Sequence, residues 1–238
     1  AERFQGLVGL DRYFAMARGV PGVPALEMTK WFDTNYHYLV PELGTTIAPT
    51  ADFEDFVALV ERARELIGEK SVPIVIGPIT LLALSRFEGD LAAAAGDLAP
   101  YYIELLRTLV ELGVTEVQLH EPVLVLSGSE ALRVPFESVY ADLSTVDVRL
   151  NLVTYFDDLG ATYPWVVRLP VGVISLDFTR GDNLSLIESH GWPADKILVA
   201  GLIDGRSVWR ERPAEIQERL SEVAAALPEG AHLRVGAS

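Results

Sequence analysis

Short apolar runs alternate along the chain with longer segments in which apolar residues recur every three to four positions. The short runs are rich in Val, Ile and Leu, as is typical of strands buried in a parallel sheet. The longer segments have the period of helices that pack one face on a core. We predict strands at residues 24–32, 72–76, 116–119, 148–153, 174–178, 197–200 and 233–235. The predicted core includes Ile74, Val75, Ile76, Val117, Leu119, Leu150, Leu152, Leu176, Leu198 and Val199.

Capping residues and prolines indicate where the predicted helices begin and end. Asp52 offers an N-cap for a helix that ends at Gly68. Pro100 suits the first turn of a helix over residues 97–112, which Gly113 ends. We predict further helices at residues 135–143, 183–188 and 213–227.

The alternation of strand and helix has no Ser/Gly linker in it, which predicts a single domain over residues 1–238. Candidate polar residues follow almost every strand, and this favours a barrel over a doubly wound sheet. About seven strands are predicted, whereas a closed barrel has eight. The expected fold is therefore a TIM-like (β/α)8 barrel that is one strand short. We expect the lead-in at residues 6–10, a partner chain or a rearranged segment to fill the free place.

The composition argues against several classes of function. The formal charge of -15 at pH 7 opposes binding to nucleic acid or to an anionic membrane. The chain has no cysteine, which excludes disulfides, thiolate metal ligands and a cysteine nucleophile. No apolar run reaches the roughly 18 residues that a membrane span needs, and the first residues do not begin a secretory signal. We therefore expect a cytoplasmic protein.

One stretch follows neither the strand period nor the helix period. Six consecutive residues at 33–38 carry hydrogen-bonding side chains, and Pro41 ends the stretch. Such a run predicts either a loop that holds a polar ligand or a structural loop tied together by its own hydrogen bonds. Asp33, Asn35 and His37 are its candidate functional residues.

Functional residues of a parallel barrel follow the carboxyl ends of its strands. Lys30 meets this condition, lies beside the polar run and is one of only three lysines in the chain. Asp204 and Arg206 flank a glycine in a strand-end turn, where Arg206 could clamp a ligand carboxylate or simply pair with Asp204. The other candidates at strand ends are Thr80, His120, Glu121, Thr154, Tyr155 and Asp177.

His120 and Glu121 are neighbours at the end of a strand, so only one of them is expected to face the mouth of a barrel. The pair could act as a general acid and base or as metal ligands. Catalytic zinc usually takes three protein ligands, and the four histidines are too scattered to supply them. We therefore predict no metal site and interpret the histidines as structural.

Several strings resemble one protein family, in the same order along the chain. The most specific is EMTKWFDTNYHYLVPE at residues 27–42. The others, RYFAMARG, IGPITLLALS, VQLHEPVLVL, TYF and GLIDGRSVWR, begin at residues 12, 76, 117, 154 and 201. Together they resemble the amino-terminal half of cobalamin-independent methionine synthase over essentially the whole chain. His120 is a visible departure, since the family usually has an acidic residue at that position.

The resemblance implies a function. The family transfers a methyl group from polyglutamylated 5-methyltetrahydrofolate to homocysteine and so forms methionine. Zinc and homocysteine belong to its carboxy-terminal barrel, while its amino-terminal barrel helps to hold the polyglutamate tail. Lys30 and Asn35 match positions that contact this tail, where an ammonium can neutralise a carboxylate and an amide can donate a hydrogen bond. The resemblance implies no catalytic residue and no zinc ligand in this chain.

The resemblance also implies that the chain is an amino-terminal barrel truncated at both ends, so that the missing strand of the (β/α)8 barrel is its first. The implied partner is the carboxy-terminal barrel of the same polypeptide. Such a chain is expected to be inactive by itself. A second interpretation is a stand-alone barrel that binds a small molecule or acts as a scaffold without catalysis. A third is an enzyme related to uroporphyrinogen decarboxylase that uses Asp177 and Glu121. A downstream half with zinc ligands would favour the methyltransferase, and an arginine-rich pocket would favour the decarboxylase.

Overall fold

The computed structural model describes residues 2–4, 6–44 and 52–238. The strands are β1 (Met28–Lys30), β2 (His37–Leu39), β3 (Ile74–Ile76), β4 (Glu116–His120), β5 (Arg149–Val153), β6 (Val173–Asp177), β7 (Ile197–Ile203) and β8 (Leu233–Ala237). The α-helices are α1 (Gly9–Arg18), α2 (Glu54–Ile67), α3 (Pro78–Ala83), α4 (Leu91–Glu111), α5 (Arg133–Leu143), α6 (Tyr163–Val166), α7 (Asn183–His190) and α8 (Pro213–Ala226). Short 3-10 helices lie at Glu2–Phe4, Gly68–Lys70, Pro122–Val125, Ser129–Leu132 and Gly160–Thr162.

Strands β3 to β8 form one parallel sheet in the order of the sequence. Val117 of β4 pairs with Leu150 of β5, and Leu152 of β5 pairs with Ile174 of β6. Parallel neighbours need a crossover, and each crossover in this sheet contains at least one helix. Strands that are added one after another in this way are wound as in a β/α barrel. The predicted α/β fold is therefore confirmed, as six strands of a TIM-like barrel.

The side of the sheet that faces the helices forms the main core. Val117, Leu119 and Leu198 have no exposed surface, and they belong to one apolar cluster with helix residues such as Leu109. Full burial of such a side chain stabilises the fold by about 1.5–3 kcal/mol. The predicted core residues of β4 to β7 are buried or half-buried, as expected.

The other side of the sheet curves around a polar interior. Arg234 of β8 donates to both carboxylate oxygens of Glu116 in β4, at 2.8 and 2.9 Å. Three strands separate β8 from β4 in the sheet order, so a side chain can join them only across the concave face of a curved sheet. Asn151 bonds both Glu116 and Ser175 within the same interior. These contacts hold the open sheet in the curvature of a barrel.

Two expectations about the start of the chain are wrong. The strand predicted at residues 24–32 is not part of the parallel sheet, because its only strand, β1, pairs antiparallel with β2. The polar run after β1 turns the chain back on itself, which makes a hairpin. Residues 6–10 form no strand either, since α1 begins at Gly9.

The parallel sheet consequently has two open edges. Among the described residues, β3 and β8 each pair with one strand only, and no strand lies between them. Within the described residues the sheet is two strands short of a closed barrel. Of the three expected ways to fill the free place, the one that uses the lead-in is wrong, because residues 6–10 form no strand. Ile74 and Ile76 of β3 are 54% and 37% exposed, so these two predicted core residues belong to an uncovered edge instead.

Helix α4 is longer than its sequence pattern predicts. It begins at Leu91, where the Asp90 carboxylate caps it by accepting from the amides of Ala92 and Ala93 at 2.8 and 3.3 Å. Pro100 therefore lies inside the helix and not in its first turn. Burial of Leu98, Leu105 and Leu109 on this helix, together with the capped first turn, offsets the hydrogen bond that an interior proline removes.

A buried carboxylate ties the start of α3 to the end of β4. Glu121 follows β4, has no exposed surface and accepts hydrogen bonds from the amides of Ile79 at 3.2 Å and Thr80 at 2.7 Å. The hydroxyl of Tyr140 in α5 donates to the same carboxylate at 3.2 Å. These amides lie in the first turn of α3, where no carbonyl of the same helix can accept from them. Glu121 thus joins three elements of the fold.

Burial dominates the electrostatics of this carboxylate. It raises the pKa of Glu121 to about 7, although the bonds from Thr80, Ile79 and Tyr140 act in the opposite direction. The proton is therefore bound more tightly in the folded state than in the unfolded state. Stability from this group is complete below the unfolded pKa of about 4.5 and is lost as the pH rises through about 7.

We predict a pH-dependent difference in stability between the native chain and Glu121→Gln. The amide cannot titrate, and in either orientation its NH2 group would face a backbone N–H, that of Ile79 or that of Thr80, so the variant should be less stable at every pH. Its deficit should shrink by roughly 3 kcal/mol between pH 4 and pH 7.5, because only the native chain binds the extra proton. Urea unfolding across this range measures the difference, and parallel stability curves would contradict the prediction.

Candidate functional site

The β1–β2 hairpin lies across the carboxyl ends of the parallel strands. The hydroxyl of Tyr38 in β2 donates to the carbonyl of Leu84, which follows α3, at 3.1 Å. Phe32 packs on Phe156, which follows β5, with ring centroids 5.4 Å apart. The hairpin therefore contacts loops from separate parts of the sheet and covers the mouth of the open barrel.

Thr34 organises the turn of this hairpin at residues 31–36. It is buried, its hydroxyl donates to the carbonyl of Trp31 at 2.6 Å, and it accepts from the amide of Tyr36 at 3.1 Å. The amide of Trp31 in turn donates to the carbonyl of Tyr36 at 2.7 Å. The polar run is thus partly a structural loop tied by its own hydrogen bonds, which was one of the two interpretations of its sequence.

A cavity of about 530 Å³ lies beneath the hairpin, inside the curve of the sheet. The hairpin contributes Trp31, Thr34 and Tyr36 to its wall. Parallel strands and the loops after them contribute, among others, Gln118, His120, Thr154, Tyr155, Phe156, Ser175, Val199 and Arg206. The site is therefore the strand-end mouth that the barrel pattern predicts.

His120 lies in this wall within a short hydrogen-bonded series. Its Nδ1 is 3.3 Å from the hydroxyl of Tyr155, and its Nε2 is 3.1 Å from Oε1 of Gln118. Burial lowers the pKa of His120 to about 4 and raises the pKa of Tyr155 to about 12, so both are neutral near pH 7. A neutral imidazole fits these partners if Tyr155 donates to Nδ1 and Nε2–H donates to Gln118.

Arg206 is the positively charged side chain of the cavity wall. Its Nη1 lies 2.5 Å from Oδ1 of Asp33 in the hairpin, and its guanidinium carbon lies 5.1 Å from the ring centroid of Phe156. The backbone amide of Arg206 donates to Oδ1 of Asp204 at 2.9 Å. Asp204 therefore shapes the turn through the backbone, while the charge partner of Arg206 is Asp33.

The candidate residues from the sequence occupy three different places. Asp33 and Arg206 meet at the edge of the cavity. Lys30, Asn35 and His37 are exposed on the hairpin and are not part of the cavity wall. Lys30 pairs with His37 across the two strands of the hairpin, and Nδ1 of His37 lies 3.0 Å from the carbonyl of Asn35.

Glu121 occupies the third place, behind the cavity wall. His120 faces the cavity while Glu121 packs against α3, which agrees with the expectation that only one of the two neighbours faces the mouth. Sequence reasoning missed Gln118 and Phe156. The two-residue period of a strand could have found Gln118, because it lies on the same face as His120.

Metal-binding geometry is also informative. Within residues 2–4, 6–44 and 52–238, no group of three His, Cys, Asp or Glu side chains is placed to hold a metal ion. The described residues do not fit the three-ligand shell of a catalytic zinc.

In the same part of the chain, no helix is both long and apolar enough to cross a membrane.

Comparison with known proteins identifies relatives over nearly the whole chain. The family model described as the cobalamin-independent synthase, N-terminal domain, matches residues 1–228. A 5-methyltetrahydropteroyltriglutamate–homocysteine methyltransferase of Synechococcus sp. (strain JA-2-3B'a(2-13)) is 54% identical over 95% of the chain. The enzyme of the same name from Bacillus subtilis (strain 168) is 41% identical over 93% of the chain. The chain spans 30% and 29% of the length of these two relatives.

Solved structures with the same fold include two methionine synthases. A putative vitamin-B12 independent methionine synthase from Listeria monocytogenes aligns with a TM-score of 0.63 and 17% identity over 84% of this chain and 65% of its own. A B12-independent methionine synthase from Shewanella sp. W3-18-1, in complex with selenomethionine, aligns with a TM-score of 0.64 and 17% identity over 88% of this chain and 66% of its own. At this identity the two structures support the fold. The sequence match over residues 1–228 shows that the chain belongs to the cobalamin-independent synthase family, in which it corresponds to the N-terminal domain.

Proposed function

We propose that this chain is the amino-terminal barrel of a methyltransferase that forms methionine from homocysteine and polyglutamylated 5-methyltetrahydrofolate, and that its share of the work is to bind the folate. The observation that carries the proposal is the match of residues 1–228 to the N-terminal domain of the family. Relatives named for this reaction share 54% and 41% of the aligned residues. The chain spans 30% of the first of them, so the proposed partner is a carboxy-terminal barrel of the same polypeptide.

Lys30 and Asn35 are the proposed contacts to the polyglutamate tail. Both side chains are exposed on the hairpin that covers the mouth, so a flexible anionic tail can reach them from solvent. No ion pair of the described residues involves Lys30. An unpaired ammonium in a chain with a formal charge of -15 offers a local site for a carboxylate, and the amide of Asn35 can donate a hydrogen bond to it.

The chemistry of methyl transfer is assigned to the proposed partner barrel. Homocysteine must lose its thiol proton before it attacks an N-methyl group, and zinc supplies that activation in the proposed mechanism. The described residues of this chain offer no three-ligand group for zinc. The proposed location is the cytoplasm, with which a chain without cysteine is compatible.

We predict that Lys30→Ala weakens binding of triglutamyl folate about ten- to a hundredfold in the polypeptide that contains both barrels, because a charge-assisted bond to the tail is lost. Binding of the monoglutamyl folate should change much less, since it lacks the distal carboxylates. Lys70→Ala is the matched control, because Lys70 is an exposed lysine that precedes β3 at the opposite end of the sheet. Calorimetric titration measures both ligands, and an equal loss for the two would contradict the assignment of Lys30.

We also predict that this chain by itself neither retains zinc nor forms methionine. Metal analysis after dialysis and a methionine assay with triglutamyl folate and homocysteine test the two statements together. The polypeptide that contains both barrels serves as the positive control. Stoichiometric zinc together with turnover in the chain alone would show that the chemistry is not confined to the partner barrel.

A further inference from the structure

The cavity beneath the hairpin has one cationic side chain, although the chain as a whole contains 34 Asp and Glu residues against 19 Lys and Arg. No Asp or Glu side chain is among those that form the cavity wall, and the cation is Arg206. Its partner Asp33 lies outside the wall, so Arg206 can bind a ligand carboxylate only in exchange for Asp33.

The polar groups of the wall are arranged to donate. When Nε2–H of His120 donates to Oε1 of Gln118, the amide nitrogen of Gln118 keeps its two N–H donors. No hydrogen bond among the described residues uses that nitrogen. Arg206 adds a guanidinium that is suited to a carboxylate in geometry as well as charge. A ligand rich in acceptors can therefore be satisfied at this wall.

The rest of the wall is aromatic and apolar. Trp31, Tyr155 and Phe156 meet around the mouth, with Tyr155 and Phe156 only 4.6 Å apart between ring centroids. Val199 and Ile74 line the interior below them. Such surfaces bind a planar ring by burial and by edge-to-face contact.

We propose that this cavity binds a small carboxylate with an aromatic body, and that Asp33 occupies the place of the ligand carboxylate on Arg206 when the cavity is empty. The ring would lie among the aromatic side chains, and the carboxylate would pair with Arg206 at the edge of the hairpin. This site is separate from Lys30 and Asn35, which are outside the cavity wall. The proposal does not rest on the proposed folate function.

The geometry of the Asp33–Arg206 pair is that of a contact that a ligand can displace. The Arg206 side chain is 23% exposed and rests against Phe156, whereas the Asp33 side chain is 65% exposed on a hairpin turn. Pairs with one exposed partner contribute little to stability, so their exchange is easy. A ligand carboxylate would leave Arg206 in place and release Asp33 to solvent.

Isothermal titration of this chain with 3-phenylpropionate tests the proposal. For a ligand of this size we expect a Kd on the order of 1 mM. The neutral 3-phenylpropionamide and the ring-free acetate are matched controls, and each should bind at least about tenfold more weakly because it lacks one of the two recognised groups. The proposal would be overturned if 3-phenylpropionate showed no binding at concentrations up to about 20 mM. Equal binding of the amide would also overturn it.

Two variants test the role of Asp33. Asp33→Asn removes the competing charge and should tighten binding of 3-phenylpropionate by about three- to tenfold, while Arg206→Met should weaken it at least about tenfold. Lys70→Met should leave it unchanged, because Lys70 is an exposed lysine that precedes β3 at the opposite end of the sheet. Weaker binding by Asp33→Asn would show that Asp33 is not a competitor. Since Asp33 is exposed, this variant gives a result even if Arg206→Met fails to fold.

Discussion

A single buried carboxylate determines how the mouth of this barrel is built. Glu121 accepts from the first turn of α3 and from Tyr140 of α5, while it follows directly on β4. The connection holds Glu121 behind the cavity wall and joins the end of β4 to α3 and α5, while the alternation of β4 itself turns His120 towards the cavity. A carboxylate with no exposed surface loses its hydration, and the three donors replace only part of it, which is why its pKa rises to about 7.

The same sheet carries two kinds of candidate site at one end. The cavity lies inside the curve of the sheet and has aromatic walls, neutral polar groups and Arg206. Lys30 and Asn35 lie on the hairpin above it and face solvent. At the opposite end, Arg234 and Glu116 hold β8 and β4 together across the interior. The barrel thus separates contacts that maintain its curvature from side chains that can meet ligands.

Periodicity predicts most of this fold, because buried parallel strands and amphipathic helices leave clear patterns. Predictions from periodicity are wrong where contacts between distant parts of the chain determine pairing or exposure. Residues 24–32 have the composition of a strand. The turn organised by Thr34 nevertheless pairs β1 with β2, so that β1 takes no part in the parallel sheet. Ile74 and Ile76 look like core residues, yet their exposure depends on a neighbour that the sequence of β3 cannot specify. The pairing of Asp33 with Arg206 across 173 residues has no local signal at all.

The stability of Gly77→Ala tests the central role of Glu121 most directly. Gly77 has an ordinary φ of -66°, so only space requires glycine there: a Cβ would overlap the Glu121 carboxyl group. We expect Gly77→Ala to lower the free energy of unfolding by about 2 to 4 kcal/mol, because overpacking would displace the carboxylate from its donors. Gly96→Ala is the control: its Cβ meets no atom within 4 Å, and in α4 it should raise the free energy by about 0.5–1 kcal/mol. Urea unfolding measures both, and a loss below about 0.5 kcal/mol for Gly77→Ala would contradict the account.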